Sequence, residues 1–295
     1  MVEILKKNIS YIIRQWLIVM GSLFSLLSIF LSFISWDDIG ITGIMSKFFI
    51  FTGLLILGFL VSLIWICFFR KKNHIISEGA AKVNICYGDL MKIAFPKKSG
   101  RKKIVVISVN TAFDTIVDED LALYDKPLVS PNTIHGKWIN NMVKNGITIA
   151  SVDSNINNYI QKNNIMPIRE LTRMEKPRGN LKDFDNGTIV IAPEYNGITF
   201  FLLALSEFDK NNEAQSTKDD VIKCLKKLLS FYSSNGQGFE MYLTLMGTGR
   251  SRAGLTHEES LQTIKSVLSL YKQEIQGTIN VVVYNKDKGK VSIFD

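Results

Sequence analysis

Two stretches of this chain carry no charged side chain. From Trp16 to Trp36 there are 21 consecutive residues without Asp, Glu, Lys, Arg or His, and from Phe48 to Phe69 there are 22. A helix of that length rises about 32 Å, and the hydrocarbon core of a bilayer is roughly 30 Å thick. The pattern predicts a two-helix transmembrane hairpin over residues 1–72, with spans at about 16–36 and 48–69. A core helix of a soluble protein seldom lacks every charge for so long, and here the feature repeats after 11 residues. A cleavable signal peptide would be shorter and end at a small-residue site. The first run ends in Ser35-Trp36-Asp37-Asp38 and is read as retained.

Beyond the hairpin the pattern changes to short apolar runs alternating with helical stretches. Residues 73–81 read as a polar linker and 82–295 as one α/β domain. Strands are expected near 82–87, 104–109, 188–192, 198–205, 239–245, 278–284 and 291–294. Helices fit 133–145, 153–163, 216–233 and 257–272. Asp153 is expected to cap its helix, and Thr256 with Glu259 three residues on reads as a capping box. Residues 166–187 are charged, carry Pro167, Pro177, Gly179 and Gly187, and read as a surface connection.

Charge orients the hairpin. Lys6, Lys7 and Arg14 precede the first span and Arg70, Lys71 and Lys72 follow the second, while the loop between carries Asp37, Asp38 and only Lys47. Basic residues stay inside, so both termini are expected in the cytoplasm of a multi-pass membrane protein. The formal net charge is +8, and residues 1–75 hold seven Lys or Arg against three Asp or Glu, half of that excess. That half belongs to lipid headgroups, and the mild remainder gives no reason to expect nucleic acid. Cys67, Cys86 and Cys224 are odd in number and far apart, forming neither a disulfide frame nor a zinc site.

The absence of ionisable groups inside either span argues against a transporter. The first span instead repeats small residues at heptad spacing: Gly21, Ser25, Ser28, Ser32 and Ser35. The second offers Gly58 and Ser62. Small residues let helix backbones approach in lipid, where there is no hydrophobic drive to associate. The seam serves either packing within one hairpin or packing between chains.

Candidate chemistry concentrates after three strands. Leu243-Thr244-Leu245-Met246-Gly247-Thr248-Gly249-Arg250-Ser251-Arg252-Ala253-Gly254 reads as strand, glycine loop and helix start. Such a loop turns N–H groups toward a phosphate or diphosphate, and the helix adds its positive end. No Gly-Lys-Ser/Thr follows, so it is not a Walker A loop. Asp89 ends the first of these strands, where a carboxylate can accept from an amino group such as that of adenine. Val109-Asn110-Thr111 ends the second, and Ser130-Pro131-Asn132-Thr133-Ile134-His135-Gly136 leads into a helix. His135 lies in that loop as a ligand contact or a helix cap. His257 reads as a solvated first-turn residue, and Asp114 with Asp118 as structural loop carboxylates.

In order, these segments resemble a macro domain, the three-layer α/β/α fold with a mixed sheet that binds ADP-ribose and its relatives. The counterparts of the family motifs are Gly88-Asp89-Leu90, Val109-Asn110-Thr111, the 130–136 loop and Gly247-Thr248-Gly249. The resemblance implies that Asp89 contacts adenine and that Gly247, Thr248, Gly249, Arg250 and Ser251 hold the diphosphate. It implies that Asn110, Ser130, Asn132, His135 and Gly136 surround the distal ribose. Phe113 stands where the family has a second Asn, and Ser-Pro-Asn-Thr-Ile-His replaces its polyglycine loop. Those departures lead us to expect a reader rather than an enzyme, with no catalytic residue, metal or cofactor.

Two membrane helices ahead of a divergent macro domain resemble the ThsA effectors of type II Thoeris antiviral systems. That resemblance implies a signal nucleotide, an ADP-ribose conjugate of histidine made from NAD by a TIR-domain enzyme. It further implies self-association into oligomers and disruption of the cell membrane. The alternatives are a membrane-tethered ADP-ribosyl hydrolase and a passive scaffold for an NAD metabolite.

Overall fold

The computed structural model describes residues 2–120, 122–123, 127–208, 214–249 and 253–294. The chain divides into two compact units, Met1–Asn73 with Lys286–Asp295, and His74–Asn285.

The first unit holds α1 (Val2–Leu31) and α2 (Ile44–Ile64), the latter prolonged by a π-helical turn at Trp65–Phe69. Both helices are long and apolar enough to cross a membrane. α1 starts well before the expected span and stops before Trp36. The chain turns out at Ser32 because Ser35, through its N–H and its hydroxyl, donates to Asp38 Oδ2 at 2.8 and 2.7 Å.

Asn8, Ile12 and Met20 of α1 and Gly58 and Ser62 of α2 are buried. Gly58 leaves room for the Met20 side chain, since a Cβ there would lie 2.0 Å from Met20 Cε. Trp16 Nε1 donates to Leu55 O at 3.0 Å, and Phe24 stacks on Phe51 with ring centroids 4.9 Å apart. The α1 seam faces elsewhere: Gly21, Ser25, Ser28 and Ser32 are exposed, and Ser35, also exposed, lies past the helix end. Ser25 and Ser32 turn their hydroxyls back onto Gly21 O and Ile29 O of their own helix.

The second unit is built on one mixed sheet. Its strands are β1 (Lys72–Glu78), β2 (Ala81–Gly88), β3 (Lys103–Asn110), β6 (Ile189–Tyr195), β7 (Ile198–Phe208), β8 (Ala214–Gln215), β9 (Glu240–Thr244) and β10 (Thr278–Tyr284). They run in the order β1-β2-β10-β9-β3-β7-β6, with β8 on β7. β2, β10, β9, β3 and β7 are mutually parallel, and β6 is antiparallel to β7. A separate ribbon pairs β4 (Arg169–Glu170) with β5 (Lys182–Asp183). The helices are α3 (Leu90–Ala94), α4 (Ile134–Lys144), α5 (Ile149–Lys162), α6 (Lys218–Asn235) and α7 (His257–Leu270).

Central strands buried on both faces read as continuous apolar runs, as Phe200-Phe201-Leu202-Leu203 does. Val105, Ile107, Phe200 and Leu202 point into one core with Trp138, Met142, Val152 and Ile156 of α4 and α5. The alternate residues take the other face, where Phe201 meets Phe231 of α6 edge-on at 5.0 Å. The result is the expected three-layer α/β/α domain.

Three local expectations are corrected. Residues 72–78 are an edge strand rather than linker, with Gly79 at φ +55° in the two-residue turn to β2. Its only apolar residues are Ile75 and Ile76, so the sequence looks solvated. Residues 291–294 join no ladder, although Val291 and Ile293 are buried. Asp153 lies inside α5, whose N-cap is Thr148, accepting from Ser151 N at 3.2 Å. The capping box of Thr256 and Glu259 forms as read.

Candidate functional site

Because five neighbouring strands are parallel, their carboxyl ends share one edge of the sheet, the edge at which open α/β sheets bind ligands. Asp89 follows β2, Asn110 ends β3, and the glycine loop follows β9. β9 stands between β2 and β3 in the sheet, so the loop is flanked by Asp89 on one side and Asn110 on the other. At the usual strand spacing the two outer positions are roughly 14 Å apart.

Asp89 caps the short helix α3, accepting from Met91 N at 3.0 Å, and is half-buried. On β9's side, Met246 is locked to α7: Ser260 Oγ accepts from Met246 N at 3.0 Å and donates to Met246 O at 2.7 Å. Gly247 then takes φ +78°, a left-handed conformation open to glycine at little cost. Around Gly249 there is space, for a Cβ built there would meet nothing within 4 Å. The capping box at Thr256 fixes the start of α7 beyond the loop. Arg250 and Ser251 lie outside the described residues.

The other flank is more tightly built than the sequence suggested. Both ends of the buried Asn110 amide are engaged: Nδ2 donates to Asp114 Oδ2 and Oδ1 accepts from Asp114 N, each at 3.0 Å. Asp114 is paired with Lys176 at 2.6 Å, both side chains almost fully buried, and also accepts from Asn180 N at 2.6 Å. Burial pushes the Asp114 carboxyl above its ordinary range, with Lys176 pulling the other way. Asp118 is held by Arg178 and accepts from Leu128 N at 2.7 Å. Segment 166–187 is thus no loose surface connection: it is a strap tied down at Lys176, Arg178 and Asn180.

Phe113 has φ +52°, a region that Asn tolerates and a bulky aromatic resists. Its buried ring packs edge-on against Phe184 at 5.6 Å, and this anchoring sustains the strained backbone. Ser130 is buried and its carbonyl accepts from Thr133 N and Oγ1, while Asn132 is exposed. Thr133 caps α4, accepting from Gly136 N at 3.1 Å. Gly136 is required by packing, since a Cβ would lie 2.2 Å from Ser130 O. His135 is buried, and burial pushes its imidazole down to about 3, with a hydrogen bond to the Asp114 backbone pulling the other way.

Asp89, Asn110, the 130–136 loop and the glycine loop are therefore on elements that share one edge. The sequence reading missed Lys176, Arg178 and Asn180. Two carboxylates four residues apart met by two basic residues two apart was the available signal, but 62 residues separate Lys176 from Asp114. Among the described residues no cluster of His, Cys, Asp and Glu could hold a metal ion.

A mixed, mostly parallel sheet between helical layers, with a glycine loop at its carboxyl edge running into a capped helix, defines a macro-type domain. The family model described as "Thoeris protein ThsA, Macro domain" matches residues 83–284, and the chain belongs to that family. It is 22% identical over 269 residues to the Thoeris protein ThsA of Bacillus amyloliquefaciens (strain Y2), covering 89% of this chain and 82% of that one. Among solved structures, it is similar to an Oceanobacillus iheyensis macrodomain with ADPR, at 12% identity and a TM-score of 0.42, covering 74% of this chain and 92% of that one. A Trypanosoma brucei macrodomain gives 9% and 0.38, with 71% and 66% covered. The family match carries the assignment.

Proposed function

We propose that this chain is a membrane effector of antiviral Thoeris defence whose macro domain binds an ADP-ribose-type signal. The observation that carries the reading is the order of elements along the carboxyl edge. A carboxylate, an open glycine loop leading to a capped helix start and the Asn110 end of β3 follow one another over roughly 14 Å. That order suits an elongated ligand with an amino-bearing base at one end and a diphosphate in the middle. The ligand of this reading is ADP-ribose or its histidine conjugate, supplied by a TIR-domain enzyme. Asp89 meets the base, and Gly247, Thr248 and Gly249 with Arg250 and Ser251 meet the diphosphate. Asn110, Ser130, Asn132, His135 and Gly136 form the far wall.

Asn110 and His135 act there as structure. The Asn110 amide is spent on Asp114 and His135 is buried, which favours a sensor over a hydrolase. In this account α1 and α2 cross the bacterial inner membrane with both termini in the cytoplasm, and ligand binding drives chains to associate and disrupt the membrane. A ligand shifts such an equilibrium only by preferring the associated state. Gly21, Ser25, Ser28 and Ser32, exposed on α1 and turned from α2, supply the contact between chains.

The test is self-association of the full chain in vesicles, followed by energy transfer as ADP-ribose or its histidine conjugate is added. Ser25→Leu with Ser28→Leu is expected to abolish the ligand-dependent rise while leaving the hairpin intact. Turnover of an ADP-ribosylated protein, lost on Asn110→Ala, would replace this reading by the hydrolase.

A further inference from the structure

The segment after β10 leaves the domain that its sequence continues. Residues 286–295 group with the helical hairpin, not with the sheet. The Phe294 ring stacks on Tyr11 of α1, centroids 4.5 Å apart and planes 9° from parallel. The Arg70 guanidinium, just past the π-helical turn that prolongs α2, lies 5.2 Å from the Tyr11 ring centre and 5.7 Å from that of Phe294. Asn73 Nδ2 donates to Ile293 O at 2.8 Å. At Gly289 the segment passes so close to the first turn of α1 that a Cβ would lie 3.0 Å from Glu3 Oε2. Val291, Ser292 and Ile293 are buried. One short segment thus touches the ends of both hairpin helices on the side where the chain enters and leaves them.

What this segment hangs from matters as much. β10 lies between β2 and β9, with Tyr284 in register with Gly88, the residue before Asp89. Val282 pairs with Thr244, two residues before Met246 and the glycine loop. The strand that ends in the segment is therefore flanked by two of the three strand ends assigned to the ligand.

We propose that residues 286–294 are an autoinhibitory clasp: in the ligand-free chain they hold the ends of α1 and α2 together, and ligand at the carboxyl edge releases them through β10. The inference rests on the sensor reading for its trigger, though not for the clasp itself. Cation–π and stacking contacts of this kind are individually modest, so a bound ligand can offset them. Releasing them separates the segment from Tyr11 and Arg70 and leaves the hairpin free to repack against another chain.

The experiment uses the full chain in vesicles and compares wild type with Phe294→Ala and Phe294→Tyr, which keeps the ring. Amide exchange over 286–294 reports the clasp, energy transfer between chains reports association, and ADP-ribose and its histidine conjugate are the probes. Phe294→Ala is expected to speed exchange in the segment at least tenfold and to associate without ADP-ribose as far as wild type does with it. Phe294→Tyr is expected to behave as wild type, and ADP-ribose to speed exchange in wild type. Faster exchange in Phe294→Ala without a rise in ligand-free association overturns the clasp, as does unchanged exchange. A wild-type chain that ignores both ADP-ribose and its histidine conjugate while Phe294→Ala still associates overturns the sensor reading and leaves the clasp standing.

Discussion

His135 shows how one side chain ties the candidate site to stability. Its imidazole is buried and its proton affinity pushed down to about 3, so the folded protein keeps it neutral where the unfolded chain, near 6.5, would charge it. Between those values the unfolded state binds the extra proton. The contribution of His135 is therefore fully present above about pH 6.5 and is lost as pH falls, at about 1.4 kcal/mol per pH unit. Asp114, whose carboxyl burial raises, works in the opposite sense and is common to wild type and variant. Urea unfolding of wild type and His135→Gln between pH 4 and 7 isolates the difference, and the variant is expected to lose that slope. A residue reading of the sequence marked His135 because it stands in a loop before a helix. That it is sealed from solvent depends on Gly136 fitting under Ser130 O, which no local pattern announces.

At the scale of elements, the strap and the loop after β3 form one structure. Lys176 and Asp114 are a buried pair, and removing one partner leaves the other's charge uncompensated. Lys176→Met is expected to cost about 3–5 kcal/mol at neutral pH in chemical denaturation. The cost should shrink as pH falls, because burial raises the Asp114 carboxyl and the variant removes the ammonium that pulls it down. A cost within about 0.5 kcal/mol would mean that the strap is not held there. The long helices and the central strands were legible, because 3.6-residue periodicity and uninterrupted apolar runs are local signals. The capping box at Thr256 was legible for the same reason. β1 was not, since an edge strand with only two apolar residues resembles a linker. Residues 291–294 looked like a strand because burial alone was readable, and its cause was not. The strap could not be read at all, because its meaning lies in partners about sixty residues away.

For the whole molecule, the division of labour follows from where each unit keeps its unsatisfied surface. The hairpin packs inward through Gly58 and Met20 and leaves its small-residue seam outside. The domain keeps its glycine loop open at the carboxyl edge of the sheet, between Asp89 and Asn110. Order along the sequence made this edge recognisable, since each motif ends a strand. Parallel pairing, which puts the three ends on one edge, had to come from the structure. Membership of the ThsA macro-domain family agrees with that architecture. The central claim is that the edge binds an ADP-ribose-type ligand through the glycine loop. It is tested most directly by calorimetric titration of the chain with ADP-ribose and with its histidine conjugate, for wild type and for Gly249→Glu. The space around Gly249 lets the substitution leave the fold intact while it sets a carboxylate in the loop proposed to hold the diphosphate. Binding by wild type, weakened at least a hundredfold in a folded Gly249→Glu, is the predicted result. A folded wild-type chain that binds neither ligand, or a Gly249→Glu chain that binds as well as wild type, would contradict it.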